Sequence, residues 1–195
     1  MKVILGSASP RRSDILKQAG IDFEVLVSDC EEKITSDIPS DIVAELSLQK
    51  AEDVWEKASL KYGGGEESEI MVIGADTIVA LGNDVFGKPA DREDAIRMLK
   101  MLSGNVHQVY TGVTVITSDK RLSFVSCTDV IVYDVSDDDI AAYVDSGEPM
   151  DKAGAYAIQG GFAKYIKEIH GEYNNVVGFP IARLIHELKL NGTVM

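Results

Sequence analysis

The sequence predicts an α/β fold in which helices pack on a mixed sheet, and three observations carry that reading. Strand-like and helix-like segments alternate through the first half of the chain, the pattern of a sheet covered by crossover helices. Two long β-rich runs then flank Ser118-Asp119-Lys120-Arg121 and read as an antiparallel hairpin. With 195 residues, 45% of them hydrophobic, the chain can bury one substantial core, which excludes a disulfide-stapled miniprotein and a disordered chain. A single bilobed domain over 1–195 is expected.

Taken in order, Lys2 to Gly6 is a short apolar strand. Ser7-Ala8-Ser9-Pro10-Arg11-Arg12 turns into a helix, with Ser9 as N-cap, Pro10 at the first helical position, and Ile15, Leu16 and Ala19 as its apolar side up to Gly20. Residues 23–28 alternate as a strand, and a loop bearing Asp29, Glu31 and Glu32 follows. A second helix runs from about Ser40 to Leu60. Lys61 to Glu69, with Gly63, Gly64 and Gly65 in succession, reads as a flexible loop over a cleft, and the most apolar strand, Met71 to Leu81, comes next. Asp91 caps a third helix, whose stripe is Ala95, Ile96, Leu99 and Leu102 and whose stop is Gly104. The hairpin strands are placed at 107–117 and 122–135. Ser136 starts a short helix ending at Gly147; a glycine-bearing loop (146–161), a strand (162–169), a turn (170–175) and a helix from Pro180 to Leu190 complete the chain.

Composition narrows the partners. Lys+Arg 19 against Asp+Glu 32 gives a net charge of -13, a surface that repels nucleic-acid backbone and anionic membrane alike. A small phosphorylated ligand remains compatible, since a few local cations and a divalent metal can hold it against the global sign. No apolar stretch reaches the roughly 18 residues of a bilayer span, and the apolar start is too short for a signal-peptide core, so a cytoplasmic protein is expected. Cys30 and Cys127 match no zinc or redox spacing and are read as reduced core thiols. The histidines, His107, His170 and His186, form no His-Glu-x-x-His pair, against a zinc hydrolase.

Several residues break the pattern. The helix start at Ser9 carries free backbone N–H groups beside Ser7, Arg11 and Arg12, and two guanidinium groups there repel the helix macrodipole unless an anion compensates. A phosphate site competes with an ordinary capped helix bearing Arg salt bridges. Asp76 is the single ionisable group of its apolar strand, and the missing side chain at Gly74, on the same face, leaves room for water, metal or substrate. A buried unpaired carboxylate costs several kcal/mol, so a cation lies close by or the group is protonated; a structural Asp paired with Lys or Arg is the alternative. Val43, Leu46, Lys50 and Val54 share one stripe of the second helix, which leaves Lys50 either to snorkel or to meet an anion inside. A loop carboxylate such as Glu31 or Glu32 would complete an oxygen-ligand Mg²⁺ or Mn²⁺ site with Asp76, or is plain solvated surface. Lys88 is a further charge at a strand end. In the loop 146–161, Gln159 can offer donor and acceptor to a base edge and Lys152 can reach a phosphate, unless the loop merely packs the last strand.

Taken together, Ser7-Ala8-Ser9-Pro10-Arg11-Arg12, Glu31-Glu32, Gln49-Lys50-Ala51, Gly74-Ala75-Asp76-Thr77, Lys88-Pro89, Leu102-Ser103-Gly104 and Asp151 through Gly160 resemble the Maf, or septum formation, family of nucleoside triphosphate pyrophosphatases. The likeness runs in order over nearly the whole chain, to Val176-Val177-Gly178-Phe179-Pro180 and the final helix. It implies an α/β fold like that of inosine triphosphate pyrophosphatases: a mixed twisted sheet, flanking helices, and a central cleft between two lobes. It also implies hydrolysis between the α- and β-phosphates with a divalent metal, Mg²⁺ or Mn²⁺, and allows a homodimer. By that likeness Asp76 prepares water or links to the metal, Glu32 assists the metal, Arg12, Lys50 and Lys88 neutralise phosphate charge, and Ser7 and Ser9 add hydrogen bonds. Arg11, Thr77 and Gln159 match the branch favouring dTTP and UTP over 7-methyl-GTP. A 7-methyl-GTP enzyme and a non-catalytic nucleotide sensor in cell division stand as alternatives, and the Gly63–Gly65 run departs from the family as an enlarged loop.

Overall fold

Alternating periods of two and 3.6 residues resolve into the strands β1 (Lys2–Leu5), β2 (Phe23–Val25), β3 (Ile70–Leu81), β4 (Asp84–Phe86), β5 (Val106–Ile116), β6 (Arg121–Val132) and β7 (Ile166–His170) and the helices α1 (Pro10–Gln18), α2 (Pro39–Tyr62), α3 (Arg92–Leu102), α4 (Asp137–Asp145), α5 (Tyr173–Val177) and α6 (Ile181–Leu190). This computed structural model describes residues 1–63 and 70–193. The strands make one open mixed sheet in the order β2-β1-β3-β5-β6-β7, with β4 added to β3. β1 is parallel to β2 and β3, as the intervening helices require, and the rest of the sheet is antiparallel. Among the described residues no helix is long and apolar enough to cross a membrane.

The two faces of β3 are covered differently. Its odd-numbered side chains carry two separate cores: Met71, Ile73 and Ala75 pack with Leu16 of α1 and Leu184 of α6, and Val79 packs with Leu99 of α3 and Ile140 of α4. Its even-numbered side chains face α2, Val72 clustering with Val54 and Ala58, and Ile78 with Val43 and Leu46. The long helix thus lies lengthwise under the strand, and the two smaller cores flank its middle.

Several expectations are corrected. The strand expected over 23–28 stops at Val25, because its one strand partner among the described residues, β1, ends at Leu5; the bond from Leu26 N to Leu5 O is the last rung. The strand expected at 162–169 begins at Ile166, because Gly161–Tyr165 coils as a 3-10 turn that buries Phe162 among Tyr143, Tyr156 and Tyr165. The turn expected at 170–175 contains the start of α5. Short β4 went unpredicted. Neither cysteine is a core thiol: both are unpaired, Cys30 half-buried and Cys127 exposed on the outward-alternating side of β6. Gly63 ends α2 with φ +85°, and the rest of the expected flexible loop, from Gly64 and Gly65 to Glu69, lies outside the described residues.

Candidate active site

A strand has two hydrogen-bonding edges. β5 occupies one edge of β3 from Val72 to Ala80. The other edge is shared: β1 takes Ile70 to Ile73, and β4 takes Val79 to Leu81. Gly6 N adds a final bond to Ile73 O at 2.8 Å. Among the described residues no strand lies beside 74–78 there, and the carboxyl end of β1 opens onto this notch, the kind of place where ligands settle on α/β sheets. Asp76 and Thr77 lie in its middle, on opposite faces.

On the α2 face, the open space expected beside the carboxylate at Gly74 is filled. A Cβ on Gly74 would stand 2.5 Å from Ser47 O and 2.6 Å from Ala51 N, and one on Gly112, the β5 partner of Asp76, would meet the Val43 carbonyl. These two glycines bring the backbone of α2 onto the sheet. Lys50, next to Ala51, consequently reaches the carboxylate: its Nζ lies 2.5 Å from Asp76 Oδ1 and 2.9 Å from Glu32 Oε1. Burial opposes the ammonium form, but the charge of Asp76 and its hydrogen bond, with Glu32 adding to both, more than offset that and raise the Lys50 pKa. The Asp76 side chain is 14% exposed, Lys50 18% and Glu32 48%, so the ion pair faces solvent on one side instead of being sealed in the core.

On the opposite face, α1 starts as predicted, with Ser9 as N-cap and Pro10 at N1, yet the Ser9 side chain makes no capping bond, and its backbone N–H donates to Ser7 Oγ. Arg12 turns inward. Its Nε donates to Gly178 O (2.9 Å), Nη1 to Ser7 Oγ (2.9 Å) and Ala75 O (2.8 Å), and Nη2 to Thr77 Oγ1 (3.0 Å). Ala75 O is a carbonyl that the notch deprives of a strand partner. Thr77 Oγ1 also meets Thr111 Oγ1 at 3.0 Å. One N–H of the five on this guanidinium remains for a ligand. Burial lowers the Arg12 pKa, Asp76 works against that, and Arg11 adds to it. Arg11 itself makes no hydrogen bond or ion pair among the described residues. The two arginines that look equivalent in sequence are both half-buried, yet Arg12 is tied to four acceptors and Arg11 to none among the described residues.

The loop 146–161 holds two 3-10 turns, Glu148–Asp151 and Ala153–Ala155. Gly154, at φ +70°, packs on Val79 and donates its N–H to Gly87 O at 3.0 Å, tying the loop to the segment that carries Lys88. Buried Tyr156 OH lies 2.8 Å from His107 Nε2; burial lowers the His107 pKa to about 4, so the imidazole is neutral at pH 7. Lys152 is engaged by Asp151 (2.5 Å) and by Glu148 O (2.9 Å). Its hydrogen bond lowers the Asp151 pKa, and the field of Arg11 contributes. The Lys88 and Gln159 side chains are exposed and make no hydrogen bond or ion pair among the described residues.

Asp76, Lys50 and Glu32 thus meet directly, as do Ser7, Arg12 and Thr77. Ser9 and Arg11 stand at the same helix start, and Lys88, Lys152 and Gln159 sit on the neighbouring segments without touching either group. Gly178 and Thr111 were missed. Gly178, in the left-handed region at φ +116°, was visible only as part of Val176-Val177-Gly178-Phe179-Pro180, and Thr111 had no signal beyond its place in a strand. Among the described residues no group of three or more His, Cys, Asp or Glu is arranged to hold a metal. The two carboxylates that converge on the Lys50 ammonium nevertheless suit a hard divalent cation whose remaining ligands are phosphate oxygens and water, as is usual for Mg²⁺.

Comparison with known proteins bears on this arrangement. Residues 2–190 match the family model of the Maf-like proteins, Maf. The chain is 51% identical over 201 residues to a dTTP/UTP pyrophosphatase of Agathobacter rectalis, covering 98% of each chain. It is 46% identical over 189 residues to dTTP/UTP pyrophosphatases of Bacillus anthracis and Bacillus cereus, covering 96% of this chain and 94% of each relative.

Proposed function

The chain belongs to the Maf family, and on that premise we propose that it is a nucleoside triphosphate pyrophosphatase that hydrolyses dTTP and UTP to the monophosphate and pyrophosphate. The observation that carries this reading is the meeting of Asp76, Lys50 and Glu32 at the edge notch of β3, beside a helix start bearing Arg11. The triphosphate would lie along the notch. Arg11, Lys88 and the N–H groups at the start of α1 would take its charge, while Arg12 contributes a fixed positive field and a single free N–H. Lys50, kept charged by its two carboxylates, would neutralise charge as it moves onto the departing pyrophosphate. Asp76 would orient the attacking water and accept its proton.

A divalent cation, Mg²⁺ or Mn²⁺, would be held by Glu32 and Asp76, and when bound it supplies charge neutralisation at the phosphates and a more acidic water. Gln159 can accept from a pyrimidine N3–H and donate to O4, which supports dTTP and UTP over 7-methyl-GTP. Thr77 and Lys152 belong to the same reading as substrate-side residues, although both are engaged internally here. With it we infer a cytoplasmic protein that works as one domain around the notch and without nucleic-acid polymer or membrane, and a homodimer is compatible with the site as described.

The test is pyrophosphate release from a nucleotide panel with Mg²⁺ or Mn²⁺. Turnover of dTTP and UTP that disappears in Asp76→Asn is expected. Binding of dTTP without pyrophosphate formation would favour a nucleotide sensor, and faster hydrolysis of 7-methyl-GTP would overturn the assignment from Gln159.

A further inference from the structure

Glu32 belongs to a stretch, 26–38, with no regular secondary structure, yet its carboxylate must stay within reach of Lys50. Three side chains of α2, one helical turn apart, hold that stretch by its backbone. Asp53 Oδ2 accepts from Asp29 N (3.1 Å), Gln49 Oε1 from Lys33 N (2.9 Å), and Glu45 Oε2 from Thr35 N (2.9 Å). The spacing of four puts all three on one stripe, and the loop runs along it in the opposite direction. Gln49 is the rung next to Glu32 and differs from the others: its Nε2 also donates to Lys33 O at 2.7 Å, so its amide pairs with both backbone groups of one residue as a neighbouring strand would. Glu45 adds a bond from the Thr35 hydroxyl, and Lys57 closes the far end against Asp29 and Asp53. Lys50, the next residue after Gln49, is the group Glu32 meets.

We infer that Glu45, Gln49 and Asp53 form a docking rail for the 29–35 loop, and that Gln49 is a positioning residue that sets Glu32 against Lys50 and Asp76. The inference rests on the proposed pyrophosphatase reading for its kinetic consequence. A carboxylate displaced by about an ångström costs on the order of tenfold to a hundredfold in rate. Glu45 and Asp53 hold the loop ends, so loss of the middle rung loosens Glu32 without unfolding α2.

The experiment combines amide hydrogen exchange with a double-mutant cycle. In Gln49→Ala the Lys33 amide should exchange faster than in the wild type, with the melting temperature kept. kcat/KM for dTTP should fall about tenfold or more. In a Glu32→Gln background the same change should cost less than about twofold, because a residue that acts through Glu32 has nothing left to position. Gln49→Glu keeps an acceptor for the Lys33 amide but sets an anion against the Lys33 carbonyl, and should lose at least as much activity, which repeats the test if the alanine variant is poorly folded. Unchanged Lys33 exchange, or an equal fold-loss with and without Glu32, would overturn the inference. Should the wild type turn over no nucleotide, the proposed function fails, and the exchange result alone decides the rail.

Discussion

Asp76 and Thr77 are consecutive residues of β3, yet the faces they occupy solve opposite problems. On the α2 face, a carboxylate, an ammonium and a second carboxylate meet at a solvent-reaching edge, each with a partner that a ligand could replace. On the other face, a half-buried guanidinium spends nearly all its donors on neutral acceptors: two carbonyls and two hydroxyls. The first arrangement is exchangeable and suits chemistry. The second is held by four acceptors and suits support, with a single N–H left over for a ligand. The difference teaches that charge type alone does not assign a role; the identity of the acceptors does.

The strongest test of this contrast is Asp76→Asn. It keeps shape and removes the carboxylate, and turnover of dTTP should fall about a thousandfold, with a stability loss of no more than about 2 kcal/mol because Lys50 keeps Glu32 as a counterion. Arg12→Lys probes the other face. A lysine cannot serve four acceptors in the plane of a guanidinium, so stability should drop about 2–3 kcal/mol by denaturant titration, with turnover down about a hundredfold. Lost turnover at unchanged stability would instead make Arg12 a substrate ligand and erase the contrast.

Lys50→Met should cost about 2 kcal/mol at neutral pH, since it leaves Asp76 half-buried without its cation. The folded Lys50 pKa is raised above 10.5, so the stability from this pair is complete below pH 10.5 and is lost as pH climbs through the folded pKa. The gap between wild type and Lys50→Met in melts at stepped alkaline pH should close accordingly; a gap constant to high pH would show that the pair is not the source. Thr77→Val is the mildest case. It removes one acceptor from Arg12 and one bond to Thr111, for a loss of about 1 kcal/mol and a change in turnover under about fivefold.

Much of this was legible in the chain. The apolar strand interrupted by Asp76, the serine–proline start of α1 and the lysine on the stripe of α2 all stand out against local periodicity, and each reports a residue whose surroundings must differ from its neighbours'. Gly74 was legible as unusual but misread. A missing side chain marks a close approach without saying by what, and here it is the backbone of α2 that approaches. The inward turn of Arg12 was not legible, because its acceptors come from β1's exit, β3 and the end of α5. The rail of Glu45, Gln49 and Asp53 looks in sequence like any polar face of a helix.

What the sequence by itself determined was the order of the longer strands and helices, the faces they bury and the short roster of chemically odd residues, since these follow from turn chemistry and from periods of two and 3.6 that neighbouring residues alone express. Only the tertiary structure decided that β1 and β4 share one edge of β3 and leave residues 74–78 open, that Lys50 meets both Asp76 and Glu32, and that Arg12 and Arg11 part ways. Those outcomes depend on how closely distant backbones approach and which unpaired carbonyls they leave behind, and no local pattern encodes that.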